Sequence, residues 1–183
     1  MLTTEDIQSL IVEFGTDAAN LYQSMFRENA ETMPEVFLGG FIAPRLFEPL
    51  TCPVHIERLY EEMAKQLGIS ATAELNREIG GQRADVAIYQ GQVPSHIVEF
   101  KKFAKKNRVS SVGKDFKKAK KLASLKPISI LLGILICPTT KELKPRIKEL
   151  ERELGSGLLV GKTQESSDEK WKWCFGCCAW STR

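Results

Sequence analysis

Apolar residues recur at helical spacing near the start of the chain. This spacing predicts a helix over residues 4–31, with Thr4 as its N-terminal cap. The apolar positions that define the helix are Ile7, Leu10, Ile11, Phe14, Ala18, Leu21 and Met25. The next stretch, through residue 53, contains prolines and glycines that predict short irregular pieces. Residues 1–50 are therefore expected to form a helical section that packs on the main domain or offers a partner surface.

Residues 51–183 show the pattern of a single α/β domain. Amphipathic patterns predict three helices, over residues 52–68, 110–125 and 144–154. Ile56 is assigned to the apolar face of the first, and the inward residues predicted for the second are Val112, Phe116, Ala119, Leu122 and Ala123. Apolar or alternating runs predict strands over residues 71–80, 83–90, 96–102, 128–137 and 157–163, with a closing apolar segment over 169–180. The order of these elements predicts a mixed central sheet with helices on its faces.

The predicted strand over residues 96–102 contains two charged residues among its apolar ones. Glu99 and Lys101 are two positions apart, so in an extended strand they project to the same side. The preceding turn, YQGQVP, predicts a hairpin. If the hairpin is symmetric about Gln92, Asp85 lies opposite Glu99, with Cβ atoms about 4.5–5.5 Å apart. The pattern therefore predicts that these three ionisable groups converge near the hairpin.

Two carboxylates this close repel each other unless a proton, a lysine or a metal ion neutralises them. One or two carboxylates, together with water and phosphate, suit Mg²⁺ or Mn²⁺. Lys101 would then position the attacking water or assist its deprotonation. Glu57 lies at the edge of the apolar face of the preceding predicted helix and can point along the sheet, with Glu61 as a second choice. This set of groups suits phosphodiester hydrolysis.

The sequence RADVAIYQGQVPSHIVEFKK, residues 83–102, resembles the core motif of the PD-(D/E)XK, or restriction-endonuclease-like, nuclease superfamily. The resemblance implies a core of helix, three strands, helix and strand over residues 54–137. The implied function is hydrolysis of nucleic acid, with DNA favoured, dependent on Mg²⁺ or Mn²⁺. A catalytically inactive nucleic-acid-binding module of the same fold is the alternative within the family.

The resemblance also implies roles for individual residues. Asp85 and Glu99 match the two acids of the family motif, and Lys101 matches its lysine. Glu57 matches the acid on the preceding helix, so that Asp85, Glu99 and Glu57 would bind the metal. Ala84 stands where the family often has proline, a departure that leaves the acid itself intact.

The net charge of +3 conceals a strongly basic segment. Residues 101–126 contain eleven Lys or Arg and one acidic residue, a charge of +10, which leaves −7 for the rest. Such a segment indicates a polyanionic partner or merely a solvated helix face, and composition alone favours neither. Beside a nuclease-like site, the segment predicts phosphate-backbone contacts by Lys102, Lys105, Lys106, Arg108, Lys114, Lys117, Lys118, Lys120 and Lys121. This patch lacks aromatic interleaving, so stacking of single strands is not expected there.

Five cysteines and no secretory signal pattern predict free thiols in a cytoplasmic protein. The longest apolar run, at residues 128–137, is too short to cross a bilayer, so no membrane association is expected. Cys174 and Cys177 have zinc-knuckle spacing but no second pair, which favours buried thiols. Alternation of Trp171 with Trp173 and Phe175 predicts a half-buried strand, with an aromatic surface for bases or a partner as the lesser alternative.

A third class of function remains open from the sequence. An assembly or interaction protein would use the N-terminal helices and the tryptophan-rich end as contact surfaces, with little affinity for nucleic acid. A homodimer or a complex with a partner protein is also compatible with the nuclease interpretation. Salt-dependent binding of nucleic acid separates these classes, because release of counterions gives binding a steep salt dependence.

Overall fold

The structure is a computed structural model that describes residues 2–70, 72–104, 108–137, 143–155, 157–166 and 169–181, without the side chains of residues 74, 115 and 118. The helices are α1 (Thr4–Phe26), α2 (Glu35–Leu50), α3 (Tyr60–Gln66), α4 (Ala73–Ile79), α5 (Val109–Leu125) and α6 (Lys144–Leu154), with a 3₁₀ turn at Ala30–Thr32. The strands are β1 (Val54–Leu59), β2 (Arg83–Gln90), β3 (Val93–Phe103), β4 (Ser129–Ile136), β5 (Leu158–Val160), β6 (Gln164–Glu165) and β7 (Lys172–Ser181).

The strands form a mixed sheet in the order β1-β2-β3-β4-β7-β5, with β6 paired to β7. Strands β3 and β4 are parallel, and the other paired strands are antiparallel. Helix α5 forms the crossover between the two parallel strands, as such a connection requires. The predicted mixed central sheet with flanking helices is therefore confirmed, and the sheet is mostly antiparallel.

Helices cover both faces of the sheet. One core joins α1 and α2 to the side chains of Val86, Val98 and Phe175, and the other joins α3, α5 and α6 to the opposite face. The residues predicted to face inward on α5 are all buried: Val112, Phe116, Ala119, Leu122 and Ala123. Because residues of α1 and α2 share a core with the sheet, the N-terminal helices pack on it directly.

Helix α1 approaches the sheet closely at Gly15. A Cβ atom at this position would lie 2.4 Å from the ring of Phe175 on β7. Gly133 of β4 leaves space for the same ring and for Phe100, to which its Cβ would lie 3.1 Å and 2.7 Å away. The missing side chains at these two glycines thus let aromatic rings fill the layer between α1 and the sheet.

Two predicted elements between residues 52 and 80 are wrong. The first half of the predicted helix over 52–68 is strand β1, which pairs with β2, and only Tyr60–Gln66 is helical. Ile56, assigned to the apolar face of that helix, is 54% exposed on the strand. The strand predicted over 71–80 is instead α4, whose start is capped by the Thr72 hydroxyl accepting from Leu75 N at 3.1 Å.

The irregular stretch predicted before residue 53 is also wrong, because it contains the continuous helix α2. Leu38, Ile42 and Leu46 of α2 are fully buried, so packing against the sheet outweighs the poor helix propensity. Its two internal prolines, Pro44 and Pro49, are on the exposed side, where water can hydrate the carbonyl groups that lose a partner.

The N-terminal helix is shorter than predicted. It ends at Phe26 rather than at residue 31, and Arg27 follows it in the left-handed conformation with φ of 54°. Thr3, rather than Thr4, is the cap, and it forms a reciprocal capping box with Asp6. Thr4 is therefore free of the capping role and contacts the sheet, where its hydroxyl lies 3.1 Å from Ser129 Oγ.

All five cysteines are free thiols, as predicted, and Cys137, Cys174, Cys177 and Cys178 are buried. Strand β7 is buried on both faces rather than half-buried, because Phe175 faces one core and Cys174 the other. Within the described ranges, none of the helices has the combination of length and apolar character needed to cross a membrane.

Candidate functional site

Three acids share one register row across neighbouring strands. Strand β1 pairs Ile56 with Val86 and Arg58 with Ala84, so Glu57 occupies the position opposite Asp85. The pairing of β2 with β3 ends at Val86 and Val98, and Asp85 and Glu99 are the next residues on the two strands. The hairpin register predicted from the sequence thus holds at this end of the strands, while a bulge between Ile88 and Tyr89 shifts the pairs nearer the turn.

Glu57 lies on β1 and not on a helix, which corrects the position predicted for it. Its backbone is left-handed, with φ of 53°, and its carbonyl oxygen accepts from Arg83 Nη1 at 2.7 Å. The side chain is exposed. Glu61, the second choice, lies on α3 and accepts from Gly81 N at 2.7 Å. Of these two glutamates, the register row therefore includes Glu57 alone.

The Asp85 carboxyl group has a raised pKa. Burial raises the pKa of its carboxyl group above 3.8, and the nearby Glu57 and Glu35 carboxylates raise it further. Two features oppose this rise in pKa: a hydrogen bond from Phe100 N to Asp85 Oδ2 at 2.6 Å, and the Lys101 ammonium group. Asp85 is thus an acid held beside two other carboxylates and one lysine.

Glu35 is a member of this cluster that the sequence analysis missed. It lies in the first turn of α2, and its Oε2 atom is 3.1 Å from Lys101 Nζ. Its Oε1 atom accepts from Lys102 N at 2.9 Å. The sequence signal was present, because an acid directly after a proline is typical of a helix start. It was overlooked because the following glycines and prolines indicated irregular structure.

Asp85 and Glu35 also accept hydrogen bonds from the part of β3 that extends beyond its pairing with β2. The N–H groups of Phe100 and Lys102 lie beyond the last β2–β3 pair at Val98, and the two carboxylates accept from them. A carboxylate that accepts from a backbone N–H forms a strong, charge-assisted bond. Each of these acids therefore contributes to the sheet as well as to the acidic cluster.

Glu99 has a different environment from the other acids. It is only 5% exposed, and its Oε1 atom accepts from the Tyr60 hydroxyl at 2.5 Å. Tyr60 belongs to the core on the α3 and α5 side, whereas Lys101 contacts Glu35 of α2. In the part of the chain that the structure describes, no three His, Cys, Asp or Glu side chains are grouped so that they could hold a metal ion. The row of acids is present, but it is not a preformed cage.

Replacing Tyr60 by phenylalanine is expected to lower the free energy of unfolding by about 1–3 kcal/mol, because a buried carboxyl oxygen loses a donor. The measurement is urea denaturation of both proteins. Tyr22→Phe is the matched control, since its hydroxyl donates to the exposed Glu28 at 3.0 Å. An equal loss of stability in both variants would contradict a special role for the buried pair.

The predicted basic residues differ in how exposed they are and in the contacts that they make. Arg108, Lys114, Lys117 and Lys121 are exposed, although Lys121 also forms an ion pair with Glu78 of α4. Lys120 is half-buried, with Nζ 4.3 Å from the centre of the Phe116 ring. Lys102 Nζ donates to Glu31 O at 3.1 Å. Lys105, Lys106 and the side chain of Lys118 lie outside the described residues.

Comparison of the chain with protein-family models, with curated proteins and with solved structures finds no match.

Proposed function

We propose that this chain is a metal-dependent nuclease that hydrolyses phosphodiester bonds, with DNA as the favoured substrate. The observation that supports this most directly is the grouping of Asp85 with the Glu57 and Glu35 carboxylates and the Lys101 ammonium group. Lys101 follows two residues after Glu99, and Glu35 contacts Lys101 from the start of α2. A site for phosphodiester hydrolysis needs clustered carboxylates and a nearby cation, and these groups supply both.

The order of elements supports a restriction-endonuclease-like core. Helix α2 is followed by β1, β2 and β3, then by the crossover helix α5 and the parallel strand β4. This is the sequence of helix, three strands, helix and strand that the motif resemblance implies, with α3 and α4 inserted after β1. In this assignment α2 is the leading helix, and the acid that it carries beside Lys101 is Glu35.

The donor groups suit a hard divalent cation. Asp85 has a raised pKa beside the Glu57 and Glu35 carboxylates, and a bound cation would relieve that repulsion. Mg²⁺ commonly binds through one or two carboxylates, with water and substrate phosphate completing its shell, and therefore needs no three-residue cage. Asp85 and Glu99 would hold Mg²⁺ or Mn²⁺, with Glu57 assisting. The ion would lower the pKa of bound water and stabilise charge on the phosphate.

The other groups have roles that follow from their contacts. Glu35 fixes the Lys101 ammonium group at 3.1 Å, and from this position Lys101 can donate to the attacking water or to a phosphate oxygen. Phe100 N donates a hydrogen bond to Asp85 Oδ2, and this bond restricts the rotation of that carboxylate. The exposed cations that would contact the phosphate backbone are Arg108, just before α5, and Lys114 and Lys117 on α5. A cytoplasmic location, which the free thiols favour, accompanies this proposal.

A second candidate function is a module that binds nucleic acid without cutting it. It is favoured by the structural partners of the acids: Glu99 accepts from Tyr60, while Asp85 and Glu35 accept from the backbone of β3. In that case the acids would serve only to stabilise the sheet, and the basic residues would bind nucleic acid.

The test is cleavage of plasmid, single-stranded and branched DNA in Mg²⁺, Mn²⁺ or EDTA, with binding measured against salt. We expect metal-dependent cutting by the wild type and its loss in Lys101→Ala, with salt-sensitive binding retained. Lys65→Ala, an exposed lysine on α3, is the matched control and should cut normally. Binding without cutting would favour the second candidate, and absence of both would contradict the nucleic-acid proposal altogether.

A further inference from the structure

The tryptophan-rich end of the chain, residues 169–180, has three indoles: Trp171 is exposed, Trp180 is half-buried and Trp173 is buried. Trp173 is 2% exposed, and its Nε1 atom donates to Glu165 O at 3.2 Å. Trp171, two residues earlier and just before β7, is 37% exposed. Tryptophan is enriched at contact sites, because its ring is apolar while its N–H group is polar.

The backbone around Trp171 is held in place on both sides. Trp171 N donates to Ser166 Oγ at 2.9 Å, and Ser166 N donates to Trp171 O at 2.8 Å. Ser166 is buried, and the flanking pairs Gln164–Trp173 and Glu165–Lys172 join β6 to β7. The backbone of Trp171 is therefore held against Ser166, so little backbone entropy would be lost there when a ligand stacks on the ring.

A short chain of contacts connects Trp171 to the acidic cluster. Trp171 and Glu31 line the same small cavity, together with Lys172. The carbonyl oxygen of Glu31 accepts from Lys102 Nζ at 3.1 Å. The backbone of Lys102 in turn donates to Glu35, which contacts Lys101. The exposed indole thus lies beside the same end of the sheet as the candidate catalytic residues.

Cations that can contact a phosphate group lie near Trp171. Lys170 and Lys172 flank the tryptophan in sequence and are exposed. Lys102 and Arg146 both act on the nearby Cys137 thiol, lowering its pKa against the larger effect of burial, so they share this region. The acidic residues of this region are Glu31, Glu165 and Glu169, and Arg146 is paired with Glu149, so acids and cations are mixed around the indole. An exposed aromatic ring with lysines beside it is one arrangement by which proteins bind single-stranded nucleic acid.

We propose that Trp171 is a stacking platform for an unpaired base next to the cleavage site, so that the substrate includes a single-stranded segment. This inference rests on the proposed nuclease function and specifies its substrate class. The faces of paired bases in a duplex are already stacked, and only an unpaired or splayed base can stack on a protein ring. The basic residues of α5 would contact the backbone, while Trp171 would contact a base.

The test measures binding in EDTA, where metal-dependent cutting is off, to labelled oligothymidylate and to a duplex of the same length. Trp171→Ala is expected to weaken binding of the single strand by about 5- to 100-fold, since one stacked base contributes about that much. Duplex affinity should change by less than about twofold, because a duplex offers no free base. Trp171→Phe should retain most of the single-strand affinity, since a phenyl ring can also stack.

Phe47→Ala is the matched control, because Phe47 is an exposed aromatic residue of α2, 54% exposed, outside this cluster. An unchanged single-strand affinity in Trp171→Ala, or an equal loss for single strand and duplex, would overturn the stacking platform. If the wild type still cut duplex DNA with Mg²⁺, the nuclease proposal would survive that result. A wild type that bound neither probe and cut nothing would overturn both proposals.

Discussion

Replacing Asp85 by asparagine is expected to abolish metal-dependent cleavage without lowering the stability of the protein. Asparagine has nearly the same shape and keeps an oxygen that can accept from Phe100 N, but it cannot take a negative charge. Loss of a group that binds metal or transfers protons reduces rates by about 10²–10⁴-fold. We therefore expect cleavage to fall by this factor, while salt-sensitive binding of DNA remains.

The expected effect on stability follows from the direction of the Asp85 pKa. Burial raises the pKa of this carboxyl group in the folded protein above 3.8, with Glu57 and Glu35 adding to the rise. An acid with a raised folded pKa stabilises the fold when protonated, and that contribution is lost as pH rises through the folded pKa. Asp85 therefore contributes less to stability near neutral pH than it does in acid, and the neutral asparagine should give an equal or higher melting temperature.

The measurement pairs a cleavage assay with thermal unfolding at neutral pH. Asp17→Asn is the matched control, since Asp17 is an exposed carboxylate on α1, and it should leave both cleavage and melting temperature unchanged. A variant at Asp85 that melted at a lower temperature and still cut DNA would identify this acid as a structural residue. Retained stability with lost cleavage would instead be the signature of a functional carboxylate that the fold tolerates at a cost.

The wild type is expected to lose up to about 3 kcal/mol of unfolding free energy through His96 as pH falls from 6.5 to 4. Burial lowers the pKa of His96 from 6.5 to about 4. The ring links two parts of the fold, with Nε2 3.3 Å from Thr4 Oγ1 of α1 and Nδ1 3.0 Å from Ser95 Oγ. Within this pH range the unfolded chain takes up a proton that the folded protein resists.

The sign follows from proton linkage. Because the folded pKa of His96 is depressed, its contribution is fully present above pH 6.5 and is lost as pH falls toward 4. Chemical denaturation across this range should show a steeper fall for the wild type than for His96→Gln. Acidic groups titrate in both proteins, so the difference between the two curves isolates the imidazole.

His55→Gln is the matched control for His96. It replaces the other histidine of the chain, which is exposed on β1 and contacts the Tyr89 ring at 4.9 Å between centroids. This variant should keep the wild-type slope of stability against pH. Parallel curves for the wild type and His96→Gln would show that the imidazole does not contribute to acid sensitivity.

The central hairpin could be predicted because its determinants are local. The alternation of apolar residues assigns each side chain to a face and so fixes the register, while a bulge between Ile88 and Tyr89 absorbs a one-residue shift next to the turn. The pairs of Val86 with Val98 and of Ala87 with Ile97 therefore have the register predicted from the sequence. The inward residues of α5, such as Phe116 and Leu122, were predicted for the same reason, since one amphipathic period defines the buried face.

The errors arose where distant contacts decide the structure. In VHIERL, apolar residues happen to fit helical spacing, but pairing with β2 makes this segment a strand. In α2, prolines and glycines suggested breaks, while burial of its apolar face against the sheet keeps the helix continuous. Glu35 was missed as a consequence, because its proximity to Lys101 depends on that packing. The exposure of Trp171 beside the acidic cluster likewise depends on the pairing of β6 with β7.

The left-handed backbone at Glu57 has a consequence for self-association. Strand β1 is one edge of the sheet, and an uninterrupted edge offers a template on which a strand from another molecule can add. The reversal of φ at Glu57 breaks this template in the middle of the strand, next to the exposed Ile56. At the opposite edge, β5 has only three residues. The backbone turn that sets Glu57 beside Asp85 thus also protects the sheet from growing into aggregates.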